Sequence, residues 1–166
     1  MSQRVMSETG PLPFSAFHPG QTFDTPEHTL TAEEIVRFAD LSGDHNPLHV
    51  DPEFARATRF GGIVGHGALS FSILTGLWDR AGFMSGTVDA FVEVERLRFR
   101  LPVRPGDRLR ARVTVVSTVP KGAGGLITFD NELYNQEGAV VLDGRVRLLI
   151  RGDVPTRARA PRPNGP

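Results

Sequence analysis

The segment SGDHNPLHVDP at residues 42–52 places two carboxylates, two imidazoles and two prolines close together. Carboxyl and imidazole groups are common general acids and bases, so Asp44 and His49 could together activate a water molecule. Gly43 and Pro47 oppose a continuing helix, and we expect a stiff, non-helical bend that points both side chains at one spot. Asp-His-Asn-Pro is also a turn composition, in which Asp44 would only cap the turn or the next helix.

A glycine-rich segment, FGGIVGHGALS at 60–70, leads into an apolar run. A buried helix that begins at Gly67 leaves the N–H groups of its first turn unpaired, and these can stabilise an oxygen that gains negative charge. The glycines can also form a tight turn, and both interpretations can hold. His66 could be a second base, but the better interpretation is that it shapes the loop through hydrogen bonds.

His45 and His49 are four residues apart, with Asp44 and Asp51 beside them, a spacing that suits metal ligands. Pro47 opposes the regular helix that would place both histidines on one face, and no third histidine follows nearby with matching spacing. We therefore predict no metal site and interpret His45 as a surface or rim residue. The chain has no cysteine, which excludes a thiol nucleophile and a thiolate metal site.

The composition is that of a folded, neutral chain. Its 166 residues suit one domain, 39% of them are hydrophobic, and 19 basic residues balance 19 acidic ones. Zero net charge argues against nucleic acid as the main partner. The absence of cysteine and of any long apolar segment predicts a cytoplasmic protein that does not contact a membrane.

Helical spacing marks three segments. Thr31 and Glu34 form a capping-box pattern before a helix that Gly43 ends. A short helix is predicted from Pro52 to about Thr58, with proline in its first turn. The segment GALSFSILTGLW at 67–78 is apolar on nearly every side, which predicts a helix buried all round.

A period of two indicates strands in the second half of the chain. Apolar residues alternate over 109–115, 127–133 and 140–150, and short connections that contain glycine join these runs. An earlier strand covers about 88–101. Its apolar parity changes near Glu95–Arg96, which predicts a β-bulge.

These elements predict an α+β domain in which an antiparallel sheet wraps around the long buried central helix, because the sheet has one apolar face to cover. A fifth strand is expected near residues 22–29. The domain is expected to cover residues 21–151. Residues 1–20 are interpreted as an N-terminal arm, and residues 152–166, which are basic and rich in proline, as a disordered tail.

Three segments resemble the MaoC-like dehydratases, a family that includes the (R)-specific enoyl-CoA hydratases. They are FADLSGDHNPLHVDPEFA at 38–55, GGIVGHGALSFSILTGL at 61–77 and RLRFRLPVRPGDRLRARVTV at 96–115. The resemblance implies the hot-dog fold. It also implies a hydro-lyase that adds water to a 2-enoyl-CoA, or removes it from a 3-hydroxyacyl-CoA, with an (R) product.

The resemblance further implies roles for particular residues. Asp44 and His49 would exchange protons with one water, and the Gly67 N–H would hold the thioester oxygen. The hydroxyl of Thr75 would bond Asp44, unless it bonds the backbone of its own helix. Asn46 and His66 would support the site. No metal and no cofactor is expected, since coenzyme A is part of the substrate.

Two other functions stay open. Thioesterases of the same fold also use a carboxylate and a helix N-terminus, so an acyl-CoA thioesterase is one alternative. The other is a non-catalytic subunit that binds acyl-CoA, against which the intact set of Asp44, Asn46 and His49 argues.

The partners follow from the expected fold. A single sheet of this kind leaves an exposed edge, so a homodimer or a higher even oligomer is expected. The candidates for contacting coenzyme A phosphates are Arg56, Arg59, Arg104 and Lys121, and the sequence does not choose among them. The central helix offers candidate walls for an acyl slot, or plain core residues, in Leu69, Phe71, Ile73 and Trp78.

Overall fold

The computed structural model describes residues 10–154 and, as backbone, the short strand β1 at Arg4–Val5. A 3-10 helix at Phe14–Ala16 precedes the remaining elements. In chain order these are β2 Thr22–Asp24, β3 His28–Thr29, α1 Ala32–Ser42, α2 Pro47–Val50, α3 Pro52–Ala57, α4 Gly67–Ala81, β4 Val88–Phe99, β5 Arg108–Lys121, β6 Gly124–Tyr134 and β7 Val140–Ile150.

The sheet follows the order β1-β2-β5-β6-β7-β4, and β3 adds a short pairing to β5. All pairings except β1 with β2 are antiparallel. The α+β architecture predicted from the sequence is therefore confirmed. The apolar residues that alternate along β5, β6 and β7 form the buried face, for example Val113, Phe129 and Val146.

Strand β4 lies at one edge of the sheet and, among the described strands, pairs only with β7. Its register shifts between Val94 and Arg96, where the sequence predicted a bulge, and at two further points nearer its start. Most of this strand is exposed, including Val92 at 53% and Phe99 at 53%. The sheet therefore ends in an irregular apolar edge.

Helix α1 begins and ends at the predicted residues. The Thr31 hydroxyl accepts from the Glu34 N–H, and the Glu34 carboxylate accepts from the Thr31 N–H, which completes the capping box. Gly43 adopts the left-handed conformation with φ 76° and ends the helix. Asp44 is thus delivered directly after a fixed helix end.

The expectation of a non-helical bend after Gly43 is wrong in part, because Pro47–Val50 forms one helical turn, α2. Pro47 occupies the first position of this turn, where its missing N–H has no intrahelical partner to lose. The Asn46 side chain caps the turn by accepting from the Leu48 N–H at 3.0 Å. His49 therefore sits on a short helix and Asp44 on the loop before it.

Helix α4 runs one turn further than predicted, to Ala81, and Gly82 ends it with φ 87°. Leu74 and Leu77 are fully buried under the sheet. The expectation that the helix is buried all round is wrong, since Ala68, Ser72 and Gly76 are exposed. These three residues are small and uncharged, so they did not interrupt the apolar pattern of the sequence although they face solvent. No helix in the described part of the chain is long and apolar enough to cross a bilayer.

The predicted strand near 22–29 is divided into β2 and β3 by a segment that contains Pro26, which cannot donate to a ladder. Within the segment interpreted as an arm, Phe17 is 2% exposed and packs edge-on against Phe129 in the core. Residues 1–3 and 6–9 of the predicted arm, and the predicted disordered tail from residue 155 onward, lie outside the described residues.

Candidate active site

The loop after α1, helix α2 and the start of α4 bring three proton-handling side chains together. A carboxylate oxygen of Asp44 and one ring nitrogen each of His49 and His66 lie within 4.8 Å of one another. Asp44 is exposed, His49 is half-buried and His66 is buried. The predicted pairing of Asp44 with His49 is thus present in the geometry.

His49 is held in one orientation by the backbone of the loop before α4. Its Nδ1 lies 2.6 Å from the carbonyl oxygen of Val64, so Nδ1 carries the hydrogen and donates it. The Nε2 atom of the neutral ring then has a free lone pair. His49 can therefore act as a base through Nε2.

His66 supports the other two groups. It is 2% exposed, and its Nε2 lies 2.9 Å from the backbone carbonyl of Asp44, to which it donates. Its ring lies against that of His49, with centroids 3.8 Å apart and planes tilted by 32°, and its centroid is 5.1 Å from that of the Phe38 ring. The predicted loop-shaping role agrees with these contacts. The expectation that no third histidine lies near His45 and His49 holds along the chain but not in space, where His66 joins His49.

Asn46 forms hydrogen bonds that fix the loop around Asp44. Its side chain caps α2, and its N–H approaches Asp44 Oδ1 at 3.3 Å. The Asp44 N–H in turn donates to the Ser42 hydroxyl at 3.2 Å. This set of local bonds fixes the direction of the Asp44 side chain without burying it.

The N-terminus of α4 is left open. The other three α-helices of the described chain are each capped by a side chain, from Thr31, Asn46 and Asp51, whereas the His66 side chain makes no such bond to α4. The first-turn N–H groups, that of Gly67 included, are free to meet a ligand. The predicted position of the oxyanion site is consistent with this arrangement.

Gly67 and His49 share one cavity of about 390 Å³. Its walls are mostly apolar, and the residues around it are Leu48, His49, Arg59, Phe60, Val64, Gly65, Gly67, Ser70, Phe99, Arg100, Leu101, Pro102, Val103 and Val141. The candidate walls Leu69 and Trp78 are instead buried core residues, and Phe71 and Ile73 pack against that core. The cavity is therefore walled by the strand ends and loops that face the first turn of α4.

The chain matches the family model described as MaoC like domain over residues 15–133. It belongs to this family. The sequence is 34% identical over 135 residues to the uncharacterized protein YdeM of Bacillus subtilis, covering 80% of this chain and 94% of that protein. It is 35% identical over 119 residues to an (R)-specific enoyl-CoA hydratase of Aeromonas caviae, covering 72% of this chain and 85% of the relative.

The comparison with solved structures shows the type of fold. A Mycobacterium tuberculosis protein described as having a double hotdog fold superposes with a TM-score of 0.76 at 23% identity, over 91% of this chain and 47% of that one. The hot-dog fold expected from the sequence is therefore confirmed. Relatives differ in length, and this chain spans 30% of Protein MaoC from Klebsiella aerogenes.

In this MaoC-like chain, the contacts of Thr75 and His45 decide between the alternatives that the sequence left open for these two residues. The Thr75 hydroxyl donates to the Ser72 carbonyl at 2.8 Å, within its own helix. His45 is an exposed residue that lies 3.0 Å from the Asp40 carboxylate. This hydrogen bond, together with the nearby negative charge, raises the pKa of His45. The surface position predicted for His45 agrees with this placement.

The donor set of this MaoC-like site could also hold a transition metal, since two imidazoles and a carboxylate are suitable ligands. Each histidine already gives one ring nitrogen to a backbone carbonyl and keeps the other. The sequence-based expectation of a metal-free and cofactor-free site stays a prediction.

Proposed function

We propose that this MaoC-like protein is a hydro-lyase that adds water to a 2-enoyl-CoA, or removes it from the corresponding 3-hydroxyacyl-CoA. The observation that supports this function best is that His49, next to Asp44, shares a cavity with the open first turn of α4. Hydration needs a base at the β-carbon and donors at the thioester oxygen, and the two parts of the site provide these groups.

In the proposed reaction, a water molecule lies between Asp44 and His49. The lone pair of His49 Nε2 takes a proton as the water oxygen bonds to the β-carbon. The π electrons of the double bond move toward the thioester, whose oxygen gains negative charge. The first-turn amides, chiefly the Gly67 N–H, stabilise this oxygen. A proton returned from the Asp44–His49 pair to the α-carbon on the same face completes a syn addition and gives the (R)-3-hydroxyacyl product.

The direct test measures the loss of enoyl absorbance from crotonyl-CoA. Asp44→Asn and His49→Ala should each lower turnover by about 100-fold or more, since general acid–base groups contribute on that order. Circular dichroism and the thermal midpoint should stay close to those of the wild type, because Asp44 is exposed and His49 half-buried. Near wild-type turnover in either variant would refute the mechanism.

The same assay separates the alternatives of thioester hydrolysis and binding without turnover. A thioesterase releases a free thiol from saturated acyl-CoA, whereas a hydratase does not. A non-catalytic subunit would bind crotonyl-CoA without changing the enoyl absorbance. We expect the enoyl absorbance to fall without release of free thiol. The cytoplasmic location expected from the sequence stays a prediction.

The proposed assembly is a homodimer, or a higher even oligomer, joined along β4. This edge strand has no partner on its outer side within the described chain. Its exposed apolar side chains would lose contact with water in such a pairing. A two-fold axis makes the two edges self-complementary, which suits an antiparallel pairing of identical strands.

A further inference from the structure

The cavity shared by His49 and Gly67 has two arginines in its wall, Arg59 and Arg100. Arg100 is engaged, since its Nε lies in close contact with the Asp143 carboxylate. Arg59 is exposed and makes no ion pair with an acidic residue of the described chain. Its guanidinium instead lies 4.8 Å from the ring centroid of Phe60. Arg59 thus offers an uncommitted positive charge at the cavity.

The loop that carries Arg59 is held at both of its neighbouring residues. The Phe60 N–H donates to the Thr58 hydroxyl at 3.2 Å, and the Gly61 N–H donates to the Thr58 carbonyl at 3.0 Å. The Arg104 guanidinium donates to the Phe60 carbonyl at 2.5 Å. Arg104 therefore stabilises this loop. The loop in turn fixes the backbone of Arg59, whose side chain borders the cavity.

The other basic candidates lie elsewhere. Arg56 is exposed in the last turn of α3 and does not border the cavity. Lys121 lies at the end of β5, beside a separate depression that also contains Arg151. The geometry therefore singles out Arg59 from the four basic residues.

We propose that Arg59 binds the diphosphate of coenzyme A and so selects a phosphate-bearing thioester carrier. This assignment rests on the proposed function and names the residue that would recognise the carrier. A planar guanidinium donates two parallel hydrogen bonds to phosphate oxygens, and its packing on Phe60 limits the side-chain freedom lost on binding. Because the diphosphate does not react, the contact contributes equally to the ground state and the transition state.

The test compares crotonyl-CoA with crotonyl-N-acetylcysteamine, which has the same acyl thioester but no phosphate. For Arg59→Ala we expect KM for crotonyl-CoA to rise about 10- to 100-fold with kcat nearly unchanged, as loss of a charge-assisted hydrogen bond predicts. The KM for crotonyl-N-acetylcysteamine should not change. Arg59→Lys should recover part of the loss. Calorimetry with free coenzyme A should show the same weakening independently of turnover.

Arg56→Ala is the matched control, because it removes the same charge from an exposed position three residues earlier. It should leave both KM values unchanged. An equal rise of KM for crotonyl-CoA in both variants would show that the positive charge acts at long range and not by contact, and would overturn the proposal. An unchanged KM for crotonyl-CoA in Arg59→Ala would also overturn it. Loss with the cysteamine thioester as well would assign Arg59 to the acyl group. Loss that disappears with crotonyl-3′-dephospho-CoA would move the contact to the 3′-phosphate.

The two proposals fail in different ways. Wild-type protein that hydrates no enoyl thioester would refute the hydro-lyase function, while calorimetry with coenzyme A would still test Arg59. Hydration by the wild type with no response to Arg59→Ala would refute only the assignment of Arg59.

Discussion

The orientation of His49 depends on a main-chain acceptor. In many hydrolytic sites a carboxylate holds the imidazole of the base, but here the Val64 carbonyl accepts from Nδ1. A neutral acceptor fixes the tautomer without placing a second negative charge against the ring. In the proposed mechanism, Asp44 is thereby left free to contact the water.

His66 gives a prediction at the scale of one residue. His66→Gln can keep an N–H near the original Nε2 and so keep the bond to the Asp44 carbonyl, whereas His66→Ala cannot. We expect kcat on crotonyl-CoA to fall about 10-fold or more in the alanine variant and less in the glutamine variant, since positioning errors near a base reduce turnover. Recovery of kcat by His66→Gln separates positioning from packing, since both variants lose the ring that lies against His49 but only the glutamine can still donate to the Asp44 carbonyl. Equal loss of kcat in the two variants would remove the positioning role.

The sequence was most informative at this scale, because Asp44, His49 and Gly67 belong to two short motifs. The contact of His66 with His49 was not predictable, since it joins two segments through a ring stack that leaves no spacing pattern. Thr75 was ambiguous because its hydroxyl has an acceptor in its own helix whatever lies opposite.

At the scale of elements, the end of β4 lies close to the first turn of α4. A Cβ added at Gly67 would lie 2.9 Å from Phe99 Cε1, on the last residue of β4. Because Phe99 is 53% exposed, its ring can shift enough for the protein to fold with a Cβ at position 67, but that Cβ would then fill the space between the ring and the helix. Gly67 therefore keeps a narrow approach open between the helix N-terminus and this ring.

Gly67→Ala should block that approach. We expect kcat/KM on crotonyl-CoA to fall about 10- to 100-fold, less than the roughly 100- to 1,000-fold that follows loss of an oxyanion donor, because the N–H at position 67 remains. Gly76→Ala on the same helix is the control, since a Cβ there meets nothing within 4 Å. The control should keep full activity and gain about 0.5–1 kcal/mol in free energy of unfolding, from better helix propensity. Full activity in Gly67→Ala would contradict the close approach.

Strands β6 and β7 share a charge pair that predicts a pH dependence. Arg145 donates to both oxygens of Asp130 at 2.8 and 2.7 Å, and this bond lowers the pKa of the Asp130 carboxyl below its usual range. A carboxyl with a lowered folded-state pKa stabilises the fold above its unfolded pKa, and this stabilisation is lost as pH falls through the folded pKa.

Asp130→Asn should therefore lower the free energy of unfolding at neutral pH by about 1 kcal/mol or less, as expected for a partly exposed pair. The difference from the wild type should shrink as pH falls from the unfolded-state pKa of the carboxyl through its lowered folded-state pKa, measured by urea unfolding at several pH values. A difference that does not change with pH would show that the pair contributes nothing through its charge.

The edge strand sets the prediction for the whole molecule. A lysine on an edge strand disfavours pairing with a second edge, so Val92→Lys should convert the proposed dimer to monomer in sedimentation velocity without changing the circular dichroism spectrum. Val119→Lys is the control, because Val119 is similarly exposed at 55% but lies on β5, which is separated from β4 in the sheet order by β6 and β7. Equal assembly of the two variants and the wild type would exclude β4 as the interface.

Most of the fold was predictable for a physical reason. Strands β5, β6 and β7 are long and bury one face, so their alternation follows directly from burial. The short strands β2 and β3 depend on pairing with β5, a distant segment, and two or three residues carry no period of their own. The parity of β4 was broken by three register shifts, of which the sequence revealed one.

Three bonds that hold the site together all end on main-chain oxygens: His49 to Val64, His66 to Asp44 and Arg104 to Phe60. Every amino acid carries a backbone carbonyl whatever its side chain, so a substitution at position 64 or 60 cannot delete the acceptor. Side chains at these two positions can thus be exchanged for others of similar volume, whatever their hydrogen-bonding capacity, provided that the backbone keeps its path. In a saturation library, tolerance at 64 and 60 should follow side-chain volume, while tolerance at 49, 66 and 104 should follow the ability to donate.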